Sequence, residues 1–120
     1  MIGGSAWVLG AVAAAGLGLS CFYLLERPIR GTARWASWAH GVVGASGVGA
    51  FVWGWWRAPD ASGFGRLAGW LLVSGLVAGV LIAAYQLLRR RRPAGLVVAL
   101  HATLGVVGMV ILLAYVSIGR

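Results

Sequence analysis

The chain has 120 residues, enough for one domain, with 61% hydrophobic and only 10% charged residues. Soluble proteins carry about 25% charged residues, so this chain lacks the polar cover a water-facing surface needs, and lipid is the expected surrounding. Ten arginines stand against Glu26 and Asp60 for a net charge of +8, but they fall between apolar runs, where the positive-inside rule accounts for them and nucleic-acid binding is not expected.

The apolar runs predict four transmembrane helices at 5–25, 33–56, 67–88 and 94–118, each long enough to cross about 30 Å of hydrocarbon. The first run has no basic stretch before it and three similar runs behind it, so it reads as a retained helix and not a signal peptide. Cys21 at its end is the single cysteine, which excludes an internal disulfide and any multi-cysteine zinc or iron–sulfur site. The runs lack period-2 alternation, and a membrane barrel would need more strands than the chain can supply. Glu26-Arg27-Pro28, the segment Ala58 to Gly63, and Arg89 to Pro93 end the first three runs, with Pro93 expected in the first turn of the fourth helix.

The fold expected is all-α and integral to a membrane: an up-down bundle of two related helical hairpins, 1–58 and 64–120. Arg27, Arg30, Arg34 and Arg89 to Arg92 lie in connections one and three, while Arg57, Arg66 and Arg120 lie on the other side. That bias places connections 26–34 and 89–93 in the cytoplasm and both termini outside, as in a bacterial inner membrane. Trp53, Trp55, Trp56 and Tyr115 are then expected as an outer interfacial belt, with Trp35 and Trp38 near the inner boundary. Glycines inside the helices, including Gly10, Gly16, Gly18, Gly75 and Gly79, suit close packing of helix backbones in lipid.

The two hairpins share a pattern. The second helix contains His40-Gly41-Val42-Val43-Gly44-Ala45-Ser46-Gly47, and the fourth contains His101-Ala102-Thr103-Leu104-Gly105-Val106-Val107-Gly108. Both read His-x-x-x-Gly-x-x-Gly, and these are the only two histidines. Helices two and four run in the same direction and lie diagonally in such a bundle. His40 is 17 residues before Arg57 and His101 is 19 before Arg120, so the two depths agree to within about one helical turn. A histidine at membrane depth is a functional candidate, and two opposed neutral imidazoles suit the axial positions of one haem iron. Gly44, Gly47, Gly105 and Gly108 share the face of their histidine, leaving room for a tetrapyrrole plate. Arg34 and the Arg89–Arg92 cluster stand on the side where its propionates would emerge.

At these residues, mainly 33–56 and 94–118, the chain resembles the small membrane-bound b-type cytochromes, whose four-helix cores hold haem between histidines on two helices. The resemblance implies one haem b and an electron-relay role with other membrane or peripheral redox subunits. Members with two haems use two histidine pairs, and this chain has one.

Three readings remain open from sequence: a haem site, another histidine-based site handling quinone or protons, and a cofactor-free accessory subunit packed against a larger complex. No carboxylate lies inside a predicted helix, which argues against a carboxylate-based pump. No acidic residue is placed to orient either imidazole for nucleophilic catalysis, so no catalytic site of its own is expected. Ser46 and Ser74 are read as hydrogen-bonding to helix carbonyls. The Arg89–Arg92 run is read as a topological anchor, with attraction to anionic lipid or an acidic partner as the alternative. A homo-oligomer is compatible with the sequence.

Overall fold

The computed structural model describes residues 2–25, 32–57 and 63–118, with the side chains of 2–6, 9, 22–24 and 32–34 outside that description. Glu26, Arg27, Pro28, Arg30, Pro59, Asp60 and Arg120 also lie outside the described residues. Four helices follow in order: α1 (Ile2–Leu24), α2 (Thr32–Trp56), α3 (Gly63–Arg89) and α4 (Gly95–Ile118). No strand occurs among the described residues. Pro93, the one proline among the described residues, falls between α3 and α4, as its missing N–H and ring clash with the preceding turn require.

Helix ends depart from expectation in two places. α3 begins at Gly63 and takes in Arg66, because a charge marks where an apolar run stops, and a helix continues through it unhindered. Pro93 precedes the first turn of α4. The carbonyl of Ala94 accepts from Val97 N–H at 3.0 Å and Val98 N–H at 3.3 Å, so Ala94 is the cap and Pro93 stands one residue outside it. α3 closes where Arg90 turns left-handed at φ 51° and donates its N–H to the Gln86 carbonyl at 3.0 Å. Glycine usually fills that position.

The helices form a four-cornered bundle 44 × 21 × 20 Å. α1 packs against α2 and α4, and α3 packs against α2 and α4, so α2 and α4 lie across a diagonal as predicted. The α3–α4 seam is the most extensive and the α2–α3 seam the least. The start of α1 and the end of α4 lie at one end of the bundle, the terminal end. Arg89 to Arg92 lie at the other, the arginine end.

The apolar core occupies the terminal half. Val48 and Phe51 of α2, Ala68 and Leu72 of α3, and Met109 and Leu112 of α4 form it, with Ala13 of α1 packed against them. Glycines open the grooves that receive larger side chains. Gly65 lies against the ring of Tyr115, Gly69 against Phe51 and Trp55, and Gly10 against Met109. Tyr115 and Trp55 are therefore half-buried helix contacts. Trp53 and Trp56 do face outward, with the Arg57 guanidinium 4.5 Å over the Trp53 ring. Gly18 meets nothing within 4 Å and takes no part in packing. Ser46 donates to the Val42 carbonyl at 2.9 Å, as expected.

Gly63–Arg89 and Gly95–Ile118 are long and apolar enough to cross a membrane, and Gly10–Cys21 is a shorter apolar stretch. Large apolar side chains stand exposed on every helix, among them Trp7, Trp38, Leu81 and Val110.

Leu112 is 1% exposed in the middle of the core, whereas its neighbour Leu113 is 38% exposed. Leu112→Ala should therefore lower stability by about 2–5 kcal/mol, a cavity effect that no neighbour can fill. Leu113→Ala should stay within about 0.5 kcal/mol, as a surface change does. Loss of helical circular dichroism in a denaturant titration measures both.

Candidate functional site

The two histidines meet in the bundle. Their ring centroids lie 6.2 Å apart with the planes crossed at 80°. They come from the diagonal helices α2 and α4, so the contact links the two hairpins through the bundle interior.

Each ring is fixed by the other helix of its own hairpin. His40 Nδ1 lies 3.1 Å from the Val12 carbonyl oxygen of α1, and His101 Nδ1 lies 2.9 Å from the Gly75 carbonyl oxygen of α3. A carbonyl only accepts, so in both rings Nδ1 carries the proton and donates it. In a neutral imidazole the lone pair then resides on Nε2. Among the described residues neither Nε2 has a hydrogen-bond partner, and neither is sealed inside the core.

A glycine lies under each ring. Gly16, one turn after Val12, is covered by the His40 imidazole, and Gly79, one turn after Gly75, by the His101 imidazole. A Cβ at position 79 would stand 2.9 Å from His101 Cε1, and one at position 16 would overlap His40 Cε1. The same arrangement of carbonyl, glycine and ring thus occurs once in each hairpin. The repeat read from the histidines extends to their partner helices, where Gly16 and Gly79 carry the rings as well as serving helix packing. The missed signal was a glycine at a matching height on the preceding helix.

The glycines next to the histidines divide in their roles. Gly105 has nothing within 4 Å and leaves open space one turn beyond His101. Gly44 rests against Val12 at ordinary contact distance, and Gly47 is buried. Gly108 is pressed against Leu71 and Leu72 of α3. Gly44 and Gly108 consequently do not border a bare face as expected: each is taken up by packing within its hairpin. Arg34 belongs to α2, and its side chain lies outside the described residues. Arg89 to Arg92 are exposed at the arginine end.

The donor set and spacing can be tested against a haem iron. A metal–imidazole bond is about 2.0 Å, and a ring centroid lies about 1.1 Å behind its nitrogen, so two axial imidazoles whose Nε2 atoms both point at one iron place their centroids about 6.3 Å apart. The separation here is 6.2 Å. Donation of the second ring nitrogen to a carbonyl is also the usual support for a metal-ligating histidine. The imidazole pair matches that donor set, and of the four glycines expected to make room for the plate Gly105 borders open space. No cluster of three or more His, Cys, Asp or Glu side chains occurs among the described residues, so a polydentate protein site for a bare metal ion is not formed there.

Comparison with protein-family models, with curated proteins and with solved structures gives no match for this chain.

A Cβ at Gly108 would stand 3.1 Å from Leu71 Cβ, an atom tied to the α3 backbone. Gly108→Ala should push α3 and α4 apart and lower stability by about 1–3 kcal/mol. Gly105→Ala, entering open space, should leave apo-protein stability within about 0.5 kcal/mol. Thermal unfolding of the two variants side by side measures the difference.

Proposed function

We propose that this chain is a membrane-embedded b-type cytochrome subunit: four transmembrane helices holding one haem between His40 and His101 and relaying single electrons within a larger redox assembly. The observation that carries the haem reading is the opposed pair of imidazoles at 6.2 Å, both with Nδ1 on a helix carbonyl.

Several observations support placement in a bilayer. The bundle is 44 Å long, against about 30 Å of hydrocarbon and 40–45 Å with headgroups. Its surface carries large exposed apolar side chains on all four helices, more than a water-facing protein tolerates in contiguous patches. Seven arginines gather at the connections between α1 and α2 and between α3 and α4, which favours a cytoplasmic position for that end and an external one for the termini.

Bound haem supplies a reversible one-electron change at iron. The protein's part is to hold it. His40 and His101 would hold it through their Nε2 lone pairs, and the carbonyls of Val12 and Gly75 keep both rings from turning. The packed core from Val48 to Leu112 closes the terminal side against water. On the other side Arg34 and the Arg89–Arg92 cluster would pair with propionates near the cytoplasmic surface. The short connections leave no room for a substrate domain, so donor and acceptor would be other redox subunits or quinone.

A cofactor-free subunit packed against a larger complex is the second reading. It is favoured by the hydrogen bonds themselves, which would brace each hairpin without any ligand. It gives no reason for the two rings to meet across the bundle.

Protein purified from haem-replete cells should be red, with a Soret band that shifts on reduction. His40→Ala and His101→Ala should each remove that band while helical content stays unchanged. A colourless, folded preparation would rule out the haem reading in favour of the second.

A further inference from the structure

We propose that Gly16 and Gly79, each with the carbonyl one turn before it, are positioning residues that fix the tautomer and the crossed orientation of His40 and His101. The proposal rests on the haem reading for its spectroscopic consequence, but its geometric content stands in the free protein.

The reason lies in helix geometry. The carbonyls of Val12 and Gly75 point along α1 and α3 and accept the N–H four residues on, from Gly16 and Gly79. A second lone pair remains on each oxygen. A side chain at the fourth position normally shields it, because every Cβ in a helix tilts back toward the N-terminus. Glycine at that position uncovers the oxygen to a donor from a neighbouring helix. The imidazole can then lie on the bare backbone and donate sideways to the carbonyl, as both rings do here.

Three constraints follow for each ring. Its height is set by the carbonyl, its tautomer by the carbonyl's inability to donate, and the direction of its plane by the flat glycine surface beneath. The two glycine surfaces belong to α1 and α3, which occupy opposite corners of the bundle. Held from these corners, the rings cross at 80°. On a shared iron, crossed imidazoles interact with two different metal d orbitals, leaving those orbitals nearly equal in energy. Parallel imidazoles would split them. Ferric low-spin iron reports the distinction directly: crossed ligands give a highly anisotropic electron paramagnetic resonance signal, and parallel ligands give a rhombic one.

Two measurements test this. The first is nitrogen-15 NMR of histidine-labelled protein without haem. Both rings should be almost wholly Nδ1–H, and Gly16→Ala and Gly79→Ala should each shift the affected ring to a mixed population. Gly18→Ala and Gly41→Ala, whose new methyls would meet nothing within 4 Å, should change neither ring. Wild-type rings protonated at Nε2, or unchanged rings in both cradle variants, would overturn the proposal. The wild-type spectrum decides the tautomer even if a variant fails to fold.

The second is electron paramagnetic resonance of the ferric haem-loaded protein. Wild type should give the highly anisotropic signal, and either cradle variant that retains haem should give a rhombic or high-spin one. A rhombic wild-type signal would overturn the crossed orientation. Failure of the wild type to take up haem at all would overturn the function proposed above, leaving the NMR result to decide the cradle.

Discussion

The arrangement of this bundle turns on a hydrogen bond from an imidazole on one helix to a backbone carbonyl on the helix before it, made over a glycine. It is formed twice, by His40 with Val12 and by His101 with Gly75. A bond of this kind contributes only about 1 kcal/mol net, so the pair does not hold the fold together. What the bonds do is fix the sliding position of two helices in each hairpin. Small-residue seams otherwise specify this loosely, because one bare stretch of backbone resembles the next.

Stability and positioning are separated along the length of the molecule. The interlocking side chains, from Val48 and Phe51 to Met109 and Leu112, fill the terminal half. Toward the arginine end, beyond the histidines, the buried side chains among the described residues are few: Ser20, Val98 and Pro93. Ser20 turns its hydroxyl back to the Gly16 carbonyl at 2.9 Å. One half of the bundle is therefore a firm base, and the histidine pair sits at its edge. A planar ligand taken up there would find rigid packing on one side and less resistance on the other.

Much of this was legible in the sequence. Run lengths and prolines located the four helices, and the antiparallel order made α2 and α4 diagonal. The equal depth of His40 and His101 suggested that they meet. The parts that were not legible share a cause. Glycine content says that backbones approach closely, but not which side chain lies over which glycine. Gly16 under His40, Gly69 under Trp55 and Gly65 under Tyr115 depend on the rotation of each helix about its own axis. Almost uniformly apolar helices carry little amphipathic pattern to reveal that rotation. The expectation that Gly44 and Gly108 border open space failed for this reason.

The histidine and its acceptor are 28 residues apart in the first hairpin and 26 in the second. The same cradle forms nonetheless, so the turn does not dictate how the helices align. Helix register and loop length are independent variables in this architecture. Adding a few residues to a connection raises its closure entropy by only a few tenths of a kcal/mol. The connections are thus free to diverge, to accept inserted sequence or to be shaped for docking, while the interior geometry stays anchored by two imidazoles.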